Sequence, residues 1–403
     1  MAGQVGLSPS RLKHIDALTQ AFIDRGVIAG AVTLLARQGR IAHLSARGQM
    51  DIESGREMRT DALFRLASMT KPVIAVAVLM LFEEGKLLLT DPVSAYLPSF
   101  RNLQVAVASA SQEFVLEPAA REITVKDLLT HTSGLGSAVS GPCATGTAAV
   151  AASLRNGETL GDIIPKMGSV PLSFQPGAKW EYSPGFGFDT LGHLVEIISG
   201  TPIDAFLRER IFEPLGMRNT TFSVPNDRRD DLATVYAPGP DGSGLQPGEP
   251  TVRMLALSTD PANRYYSGGG GLVGSAEDYA LFGLMLANGG QFGRSERLLN
   301  RRTVALMASN HIGTLPVMTG GVPMAGYRFG LGVRVLDNPA EAATLASRGT
   351  FGWAGAFGTN SFIDPQERMV GLLLIQRQPD LTDQTLRALW PRLQSTMYQA
   401  IDD

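Results

Sequence analysis

The segment from Pro72 to Phe82 constrains the fold of this chain more than any other. Residues 73–82 are apolar throughout, and a helix that is apolar on every side has to lie inside a core. The run is too short to cross a bilayer. Pro72 favours a helix start close by, because the N–H that proline lacks is least needed in the first turn. We therefore expect a buried helix that begins at or near Ser68.

Two chemically competent side chains stand at the start of this helix. Ser68 and Lys71 are three positions apart, so a helix places them on one face, a turn apart. A hydroxyl beside an amine can act as a nucleophile with its base, provided that burial keeps the amine neutral. The same Ser-x-x-Lys pattern occurs at Ser10 and Lys13, in a polar segment that we expect to be solvated.

The composition argues against several kinds of partner. The net charge is −3, with no long run of one sign, which argues against nucleic acid or an anionic membrane. Cys143 is the only cysteine, so no disulfide can form within the chain; it has no base beside it, and we interpret it as a loop residue. No His, Cys and Asp cluster has metal-ligand spacing, so we expect no metal and no cofactor.

The N-terminal segment favours a cytoplasmic location. Residues 1–25 are polar and amphipathic, and they lack the order of basic, apolar and small residues that marks a signal peptide. A serine at position 8 or 10 can instead cap a helix that runs to about Asp24.

Strand patterns occur at both ends of the chain and helix patterns between them. The predicted strands are Gly30–Ala36, Ile41–Gly48, Arg328–Leu336, Phe351–Gly358, Asn360–Asp364 and Met369–Ile375, with a last helix at Thr382–Ala400. Residues 100–122 are expected to be irregular, and residues 136–150 to form a loop. This order predicts an α+β fold, in which one antiparallel sheet from both termini is flanked by helices. It further predicts an α/β domain of residues 1–67 and 268–403, a mostly helical domain of residues 68–267, and an active site between them.

A third candidate residue is Tyr182, in the turn Trp180–Gly185 before a predicted helix. A phenol in such a turn can point into a cleft. A lysine ammonium nearby would favour the phenolate, which can then act as a base.

Six segments now resemble a known family, the penicillin-recognising serine hydrolases. The most similar members are the class C β-lactamase-like carboxylesterases, often called family VIII esterases. The segments are FRLASMTKPV (64–73), LLTHTSGL (128–135), WEYSP (180–184), IFEPLGM (211–217), SGGGGLVGSAED (267–278) and WAG (353–355). They follow the family's order, and the resemblance implies the β-lactamase and penicillin-binding-protein transpeptidase fold.

The resemblance also implies roles for individual residues. Ser68 would be the acylated nucleophile, Lys71 its partner and Tyr182 the base. The backbone N–H groups of Ser68 and Ala356 would form the oxyanion hole. His131, in the second segment, is expected to order its turn rather than to do chemistry.

Two departures from the family pattern bear on the substrate. The Tyr-x-Asn motif of lactamases reads Tyr182-Ser183-Pro184 here, and no lysine follows Lys179, so a Lys-Thr-Gly motif cannot exist. Its place is taken by Trp353, Ala354 and Gly355, which we expect to contact the substrate. An indole in place of a cation favours an uncharged, partly apolar group. The preference is therefore predicted to shift from carboxylated lactams to esters with short to medium acyl chains.

Several alternatives remain open at this level. The same Ser-Lys-Tyr site could belong to a β-lactamase or D-Ala-D-Ala peptidase, to an amide hydrolase, or to an acyltransferase. An alternative outside the enzymes is a binding domain that keeps the fold but does not catalyse a reaction. The expected partner is a small-molecule ester, and the sequence leaves monomer and homodimer open.

Overall fold

The computed structural model describes residues 2–108, 114–137, 141–239, 244–250, 253–319, 321–378, 380 and 383–403. Eight strands form one antiparallel sheet, and they come from the two ends of the chain. They are β1 Gly30–Arg37, β2 Arg40–Asp51, β3 Arg56–Glu57, β4 Tyr327–Phe329, β5 Arg334–Leu336, β6 Phe351–Gly352, β7 Asn360–Asp364 and β8 Met369–Leu374. Across the sheet the order is β4-β5-β6-β7-β8-β1-β2-β3. The expected α+β fold with a sheet from both termini is thus confirmed.

Helices surround the sheet and fill the middle of the chain. Those of ten or more residues in the described ranges are α1 Pro9–Asp24, α2 Thr70–Glu83, α3 Ala144–Ser153, α4 Phe186–Ser199, α5 Ala276–Ala287 and α6 Gln384–Tyr398. Shorter α-helical segments are Val125–Leu129, Leu160–Ile163, Ile203–Leu207, Glu213–Leu215, Arg253–Ala256 and Arg301–Met307. None of these helices combines the length and the apolar character that spanning a membrane requires.

The remaining strands form short antiparallel pairs outside the main sheet. They are Phe64–Arg65 with Val273–Gly274, Gln104–Ala108 with Phe114–Pro118, Tyr236–Pro238 with Leu245–Pro247, Gln291–Phe292 with Glu296–Arg297, and Met318–Thr319 with Val322–Pro323.

Both faces of the sheet are covered, and the alternation along β1 explains why. Successive strand residues point to opposite faces. Leu35 packs in the core that contains Phe22 of α1 and Leu393 of α6. Leu34 lies in the larger core, with Phe282 of α5. A strand buried on both faces therefore consists almost entirely of apolar residues, as β1 does.

The apolar run after Pro72 forms the buried helix expected from the sequence. Every residue of α2 from Thr70 to Leu81 is buried, and the helix packs against α4 inside the larger core. A 3₁₀ turn, Ala67–Met69, leads directly into it. Ser68 consequently lies in the turn that leads into the buried helix α2, and a buried helix can hold this side chain in one position.

Four local predictions were wrong. Within residues 100–122 the chain forms the hairpin of Gln104–Ala108 with Phe114–Pro118, and within residues 136–150 helix α3 begins at Ala144. The strand predicted at Phe351–Gly358 ends at Gly352, because the chain then turns back through Gly358, at φ +83°. The strand predicted at Arg328–Leu336 is a pair of strands, β4 and β5, with Gly332 at φ +76° between them.

The division into two domains stays a proposal. Phe64 pairs with Gly274 and Arg65 with Val273. The chain therefore leaves and re-enters the sheet-containing part side by side, close to the proposed boundaries at 67 and 268.

Candidate active site

Ser68 lies where two segments that are distant in sequence are bonded to each other. The N–H of Leu66 donates to the carbonyl of Leu272 (2.9 Å), and the N–H of Leu272 donates to Thr70 Oγ1 (3.1 Å). Ala67, directly before the serine, has φ +47°, a left-handed conformation that is costly for a residue with a Cβ. Such strain persists only where the surroundings enforce it, and it is typical of functional sites.

The structure brings Ser68, Lys71 and Tyr182 into direct contact. Lys71 Nζ donates to Ser68 Oγ at 3.0 Å, and Tyr182 Oη donates to the same oxygen at 2.6 Å. The serine hydroxyl is therefore hydrogen-bonded by two groups able to exchange or stabilise a proton. This is the arrangement of an activated nucleophile with an adjacent base.

Lys71 is held by three oxygen atoms. Besides Ser68 Oγ, its Nζ donates to the carbonyls of Pro184 (2.7 Å) and Gly269 (2.6 Å), and the residue is 0% exposed. An ammonium has three donors and no acceptor, so three acceptors around it satisfy the charged form. Three acceptors around Nζ thus suit a charged Lys71, whereas Ser68 and Lys71 alone had suggested a neutral amine. The role of Tyr182 as base stays a proposal.

Asp189, which sequence reasoning missed, anchors the glycine run behind Lys71. It is fully buried in α4 and accepts hydrogen bonds from Tyr265 Oη (2.8 Å), Ser267 Oγ (2.7 Å) and the N–H of Gly269 (2.8 Å). Burial and the carboxylate raise the pKa of Tyr265 well above its ordinary value. A carboxylate inside the apolar sequence of α4 is the one signal that could have indicated this residue.

The glycine run permits a close approach of two backbones. A Cβ on Gly269 would come within 2.8 Å of the Cα of Gly185, and one on Gly268 would clash with the carbonyl of Phe188. This close packing brings the Gly269 carbonyl within reach of Lys71.

His131 is a buried, neutral residue beneath Tyr182. Burial, and secondarily the charge of Lys71, lower its pKa well below the ordinary value. Its Nδ1 accepts the N–H of Ser183 at 3.3 Å, and its ring lies edge-on to that of Tyr182, with centroids 4.8 Å apart. It makes no contact with the serine that would give it a part in the chemistry.

The turn that follows β6 packs against the segment that precedes Ser68. The N–H of Gly355 donates to the carbonyl of Thr359 (2.7 Å), and Thr359 Oγ1 donates to the carbonyl of Leu66 (3.2 Å). A Cβ on Gly355 would clash with both Thr359 Oγ1 and the Leu66 carbonyl. Close contact with Leu66, two residues before Ser68, therefore requires glycine at this position.

A cavity of about 530 Å³ opens over Ser68. Trp353, Ala354, Gly355 and Ala356 line it together with Ser68 and Tyr182. Apolar side chains complete the walls: Trp180, from the WEYSP segment, and four that no motif had indicated, Phe186, Leu255, Met318 and Met324. A half-buried cation, Arg334, also lines it. Such a mostly apolar cavity with a few convergent polar groups is typical of a small-molecule site.

Two sequence patterns that are similar to the catalytic motifs lie outside the cavity. Ser10 and Lys13 are exposed on α1, as expected for a solvated pair. His311 begins a His-x-Gly pattern, which is similar to the Lys-Thr-Gly motif of lactamases. Its Nε2 is hydrogen-bonded to the carbonyl of Leu306 at 2.8 Å, and the residue does not line the cavity.

Known proteins resemble the chain over nearly its whole length. The beta-lactamase family model matches residues 15–394. An uncharacterised protein of Mycobacterium tuberculosis is 34% identical, over 89% of this chain and 88% of the relative. Esterase EstB of Burkholderia gladioli is also 34% identical, over 90% and 88%. Among solved structures, EstCE1, described as a hydrolase with promiscuous acyltransferase activity, superposes with a TM-score of 0.78 at 28% identity, over 98% and 99% of the two chains.

The chain therefore belongs to the beta-lactamase family of serine hydrolases. The resemblance to the esterase branch of this family, stated from the sequence motifs, is confirmed by the match to EstB and EstCE1.

Proposed function

We propose that this protein is a serine carboxylesterase that cleaves esters with short to medium acyl chains through an acyl-enzyme on Ser68. The observation that carries the proposal is the contact of Ser68 Oγ with both Lys71 and Tyr182 at one wall of an apolar cavity. The esterases among its relatives support the same reaction class.

In the first step, Tyr182 in its phenolate form takes the proton of Ser68 as Oγ attacks the ester carbonyl carbon. The ammonium of Lys71 stabilises negative charge at these oxygens. The N–H groups of Ser68 and Ala356 donate to the oxyanion, and each such donor contributes roughly 3 kcal/mol. As the carbonyl re-forms, the carbon–oxygen bond to the alcohol breaks, and Tyr182 returns the proton to the leaving alkoxide.

In the second step, a water molecule gives its proton to Tyr182 and attacks the acyl-enzyme. The tetrahedral intermediate collapses to the free acid, and Tyr182 returns the proton to Ser68 Oγ. An alcohol that attacks in place of water yields a new ester, so acyl transfer is a second candidate activity. The promiscuous acyltransferase activity described for EstCE1 favours this candidate.

The test is hydrolysis of 4-nitrophenyl butyrate, with mass spectrometry after addition of a 4-nitrophenyl phosphonate. We expect one covalent adduct, on Ser68, and loss of turnover in folded Ser68→Ala. Ser10→Ala, which removes the serine of the solvated Ser-x-x-Lys pair, is the matched control and should keep both properties. Near-normal turnover in Ser68→Ala would overturn the proposal, and a binding domain without catalysis would give no adduct at all.

We also propose that the protein acts in the cytoplasm. The support is that α1 belongs to the folded core, where Leu12, Ile15 and Phe22 are buried, so residues 9–24 are not a separate targeting segment. Cell fractionation tests this assignment.

A further inference from the structure

Arg334 places a positive charge in the wall of the catalytic cavity. It is the first residue of β5, where it lies opposite Phe329 of β4 on one side and Gly352 of β6 on the other. Trp353, the next residue after Gly352, lines the same cavity. The guanidinium therefore stands beside the segment that replaces the lysine motif of lactamases.

No carboxylate of the described residues neutralises this arginine. The ion pairs of the described chain do not include it. The one hydrogen-bond acceptor that the described part of the protein offers it is Met324 Sδ, at 3.8 Å from Nη1, and a thioether is a weak acceptor. A guanidinium has five N–H donors, so most of the donors of Arg334 remain available.

Two aromatic rings hold the guanidinium in place. Its central carbon lies 4.8 Å from the ring centroid of Tyr327 and 6.0 Å from that of Trp353. Such cation–π contacts orient the planar group without using its N–H edge. Burial lowers the pKa of Arg334, but an arginine stays protonated in proteins.

A half-buried cation without a counter-ion among the described residues is costly in a folded protein. Arg334 is kept in this position, aimed into a cavity, by strands on both sides and by two rings. We propose that Arg334 binds a carboxylate carried by the ester substrate, so that half-esters of dicarboxylic acids, or esters of carboxylated alcohols, are preferred over neutral esters.

This inference rests on the proposed esterase function and names its substrate class. It differs from one prediction of the sequence, in which the absence of lysine after Lys179 favours uncharged groups. The charge is present, but it comes from an arginine on the neighbouring strand. The covalent chemistry at Ser68 is unchanged, since the carboxylate only positions the ester.

The test uses two matched pairs of esters. For a charge on the acyl side, mono-4-nitrophenyl adipate is compared with its methyl ester, and release of nitrophenolate is followed. For a charge on the alcohol side, 3-acetoxybenzoate is compared with methyl 3-acetoxybenzoate. In each pair the measured quantity is the ratio of kcat/KM for the charged ester to that for the neutral ester, after subtraction of the uncatalysed rate.

We expect Arg334→Gln to lower this ratio by about 10- to 100-fold in at least one pair, since a hydrogen bond to a charged group contributes about 1.5–3 kcal/mol. Arg334→Lys keeps the positive charge but loses the paired N–H donors of the guanidinium, so it should lower the ratio less than Arg334→Gln does. This second variant also keeps the test decisive if Arg334→Gln does not fold. Arg328→Gln is the matched control. Arg328 lies on β4, and its Nη1 donates to the carbonyl of the preceding residue, Tyr327, at 2.9 Å. It does not line the cavity, and its substitution should leave the ratio unchanged.

An unchanged ratio in both pairs, in folded Arg334 variants that still cleave the neutral esters, would overturn the carboxylate site and leave the esterase proposal standing. If the wild-type protein cleaves none of the four esters and forms no phosphonate adduct, the esterase proposal fails, and the substrate class fails with it.

Discussion

His131 holds the backbone on both sides of Tyr182. Its carbonyl accepts the N–H of Glu181 at 3.0 Å, and its Nδ1 accepts the N–H of Ser183 at 3.3 Å. Because Nδ1 is an acceptor, the proton of the neutral ring is on Nε2. The phenol that donates to Ser68 Oγ is thus held through its two neighbours by His131.

Loss of the His131 side chain, and with it the hydrogen bond from Ser183, should lower kcat. We expect His131→Ala to lower kcat for 4-nitrophenyl butyrate by about 10- to 100-fold, because a small misplacement of a reacting group costs up to about 100-fold. His131→Asn should be milder, since asparagine offers an acceptor and tolerates the φ of +57° at this position. His311→Ala is the matched control for loss of an imidazole outside the site. Equal rates for His131→Ala and wild type would exclude a positioning role.

The same histidine makes stability depend on pH. Its pKa is lowered well below normal in the native state, so below about pH 6.5 the unfolded chain binds a proton that the native state does not. The free energy of unfolding therefore falls as pH decreases, by about 1.4 kcal/mol per unit from this group, until the native state is protonated as well. Above about pH 6.5 the contribution is constant.

Urea unfolding at pH 7, 6 and 5 measures this dependence. The wild type should lose more stability than His131→Asn between pH 7 and pH 5, whereas histidines elsewhere, such as His43, contribute equally to both proteins. Parallel curves for the two proteins would show that His131 does not titrate as stated.

Removal of the Tyr182 hydroxyl should affect catalysis much more than folding. Tyr182→Phe keeps the ring contacts with His131 and Trp353 but removes the oxygen at 2.6 Å from Ser68 Oγ. General base catalysis contributes about 10²- to 10⁴-fold, so kcat should fall by that factor with little change in Tm. Tyr96→Phe, which removes a phenol that donates to Asp91, is the control. A rate within a few-fold of wild type would assign the base to another group.

Alanine at position 355 should disturb the oxyanion side of the site. The added methyl group would clash with the Leu66 carbonyl and with Thr359 Oγ1, and overpacking of this kind costs about 1–3 kcal/mol. The turn can relieve the clash only by moving away from Leu66, which carries Ala356 away from Ser68. We expect a lower Tm together with a fall in kcat of about 10-fold or more.

The matched control is Gly3→Ala, where an added Cβ meets no atom within 4 Å. Unimpaired kcat in a folded Gly355→Ala variant would argue against an oxyanion hole at Ala356.

Local patterns predicted the large elements well. The apolar run after Pro72, the strand patterns at Gly30–Ala36 and Ile41–Gly48, and the helix pattern at Thr382–Ala400 each specify an element through nearest neighbours along the chain. The predictions failed where a distant contact decides the backbone. The strand expected at Phe351–Gly358 ends at Gly352, because the following turn is bonded to itself and, through Thr359, to Leu66, almost 300 residues away.

By itself, the sequence determined the family and the α+β architecture, and it led to the proposal of Ser68 as nucleophile with Lys71 and Tyr182 as partners, because these depend on short motifs in a set order. The tertiary structure alone decided three further features. Lys71 is ringed by three acceptors that suit its charged form, Asp189 anchors the carbonyl behind it, and Arg334 brings a cation back into a cavity from which the lysine motif is missing. Each of these depends on which distant side chains share a space, and spacing along the chain carries no information about that.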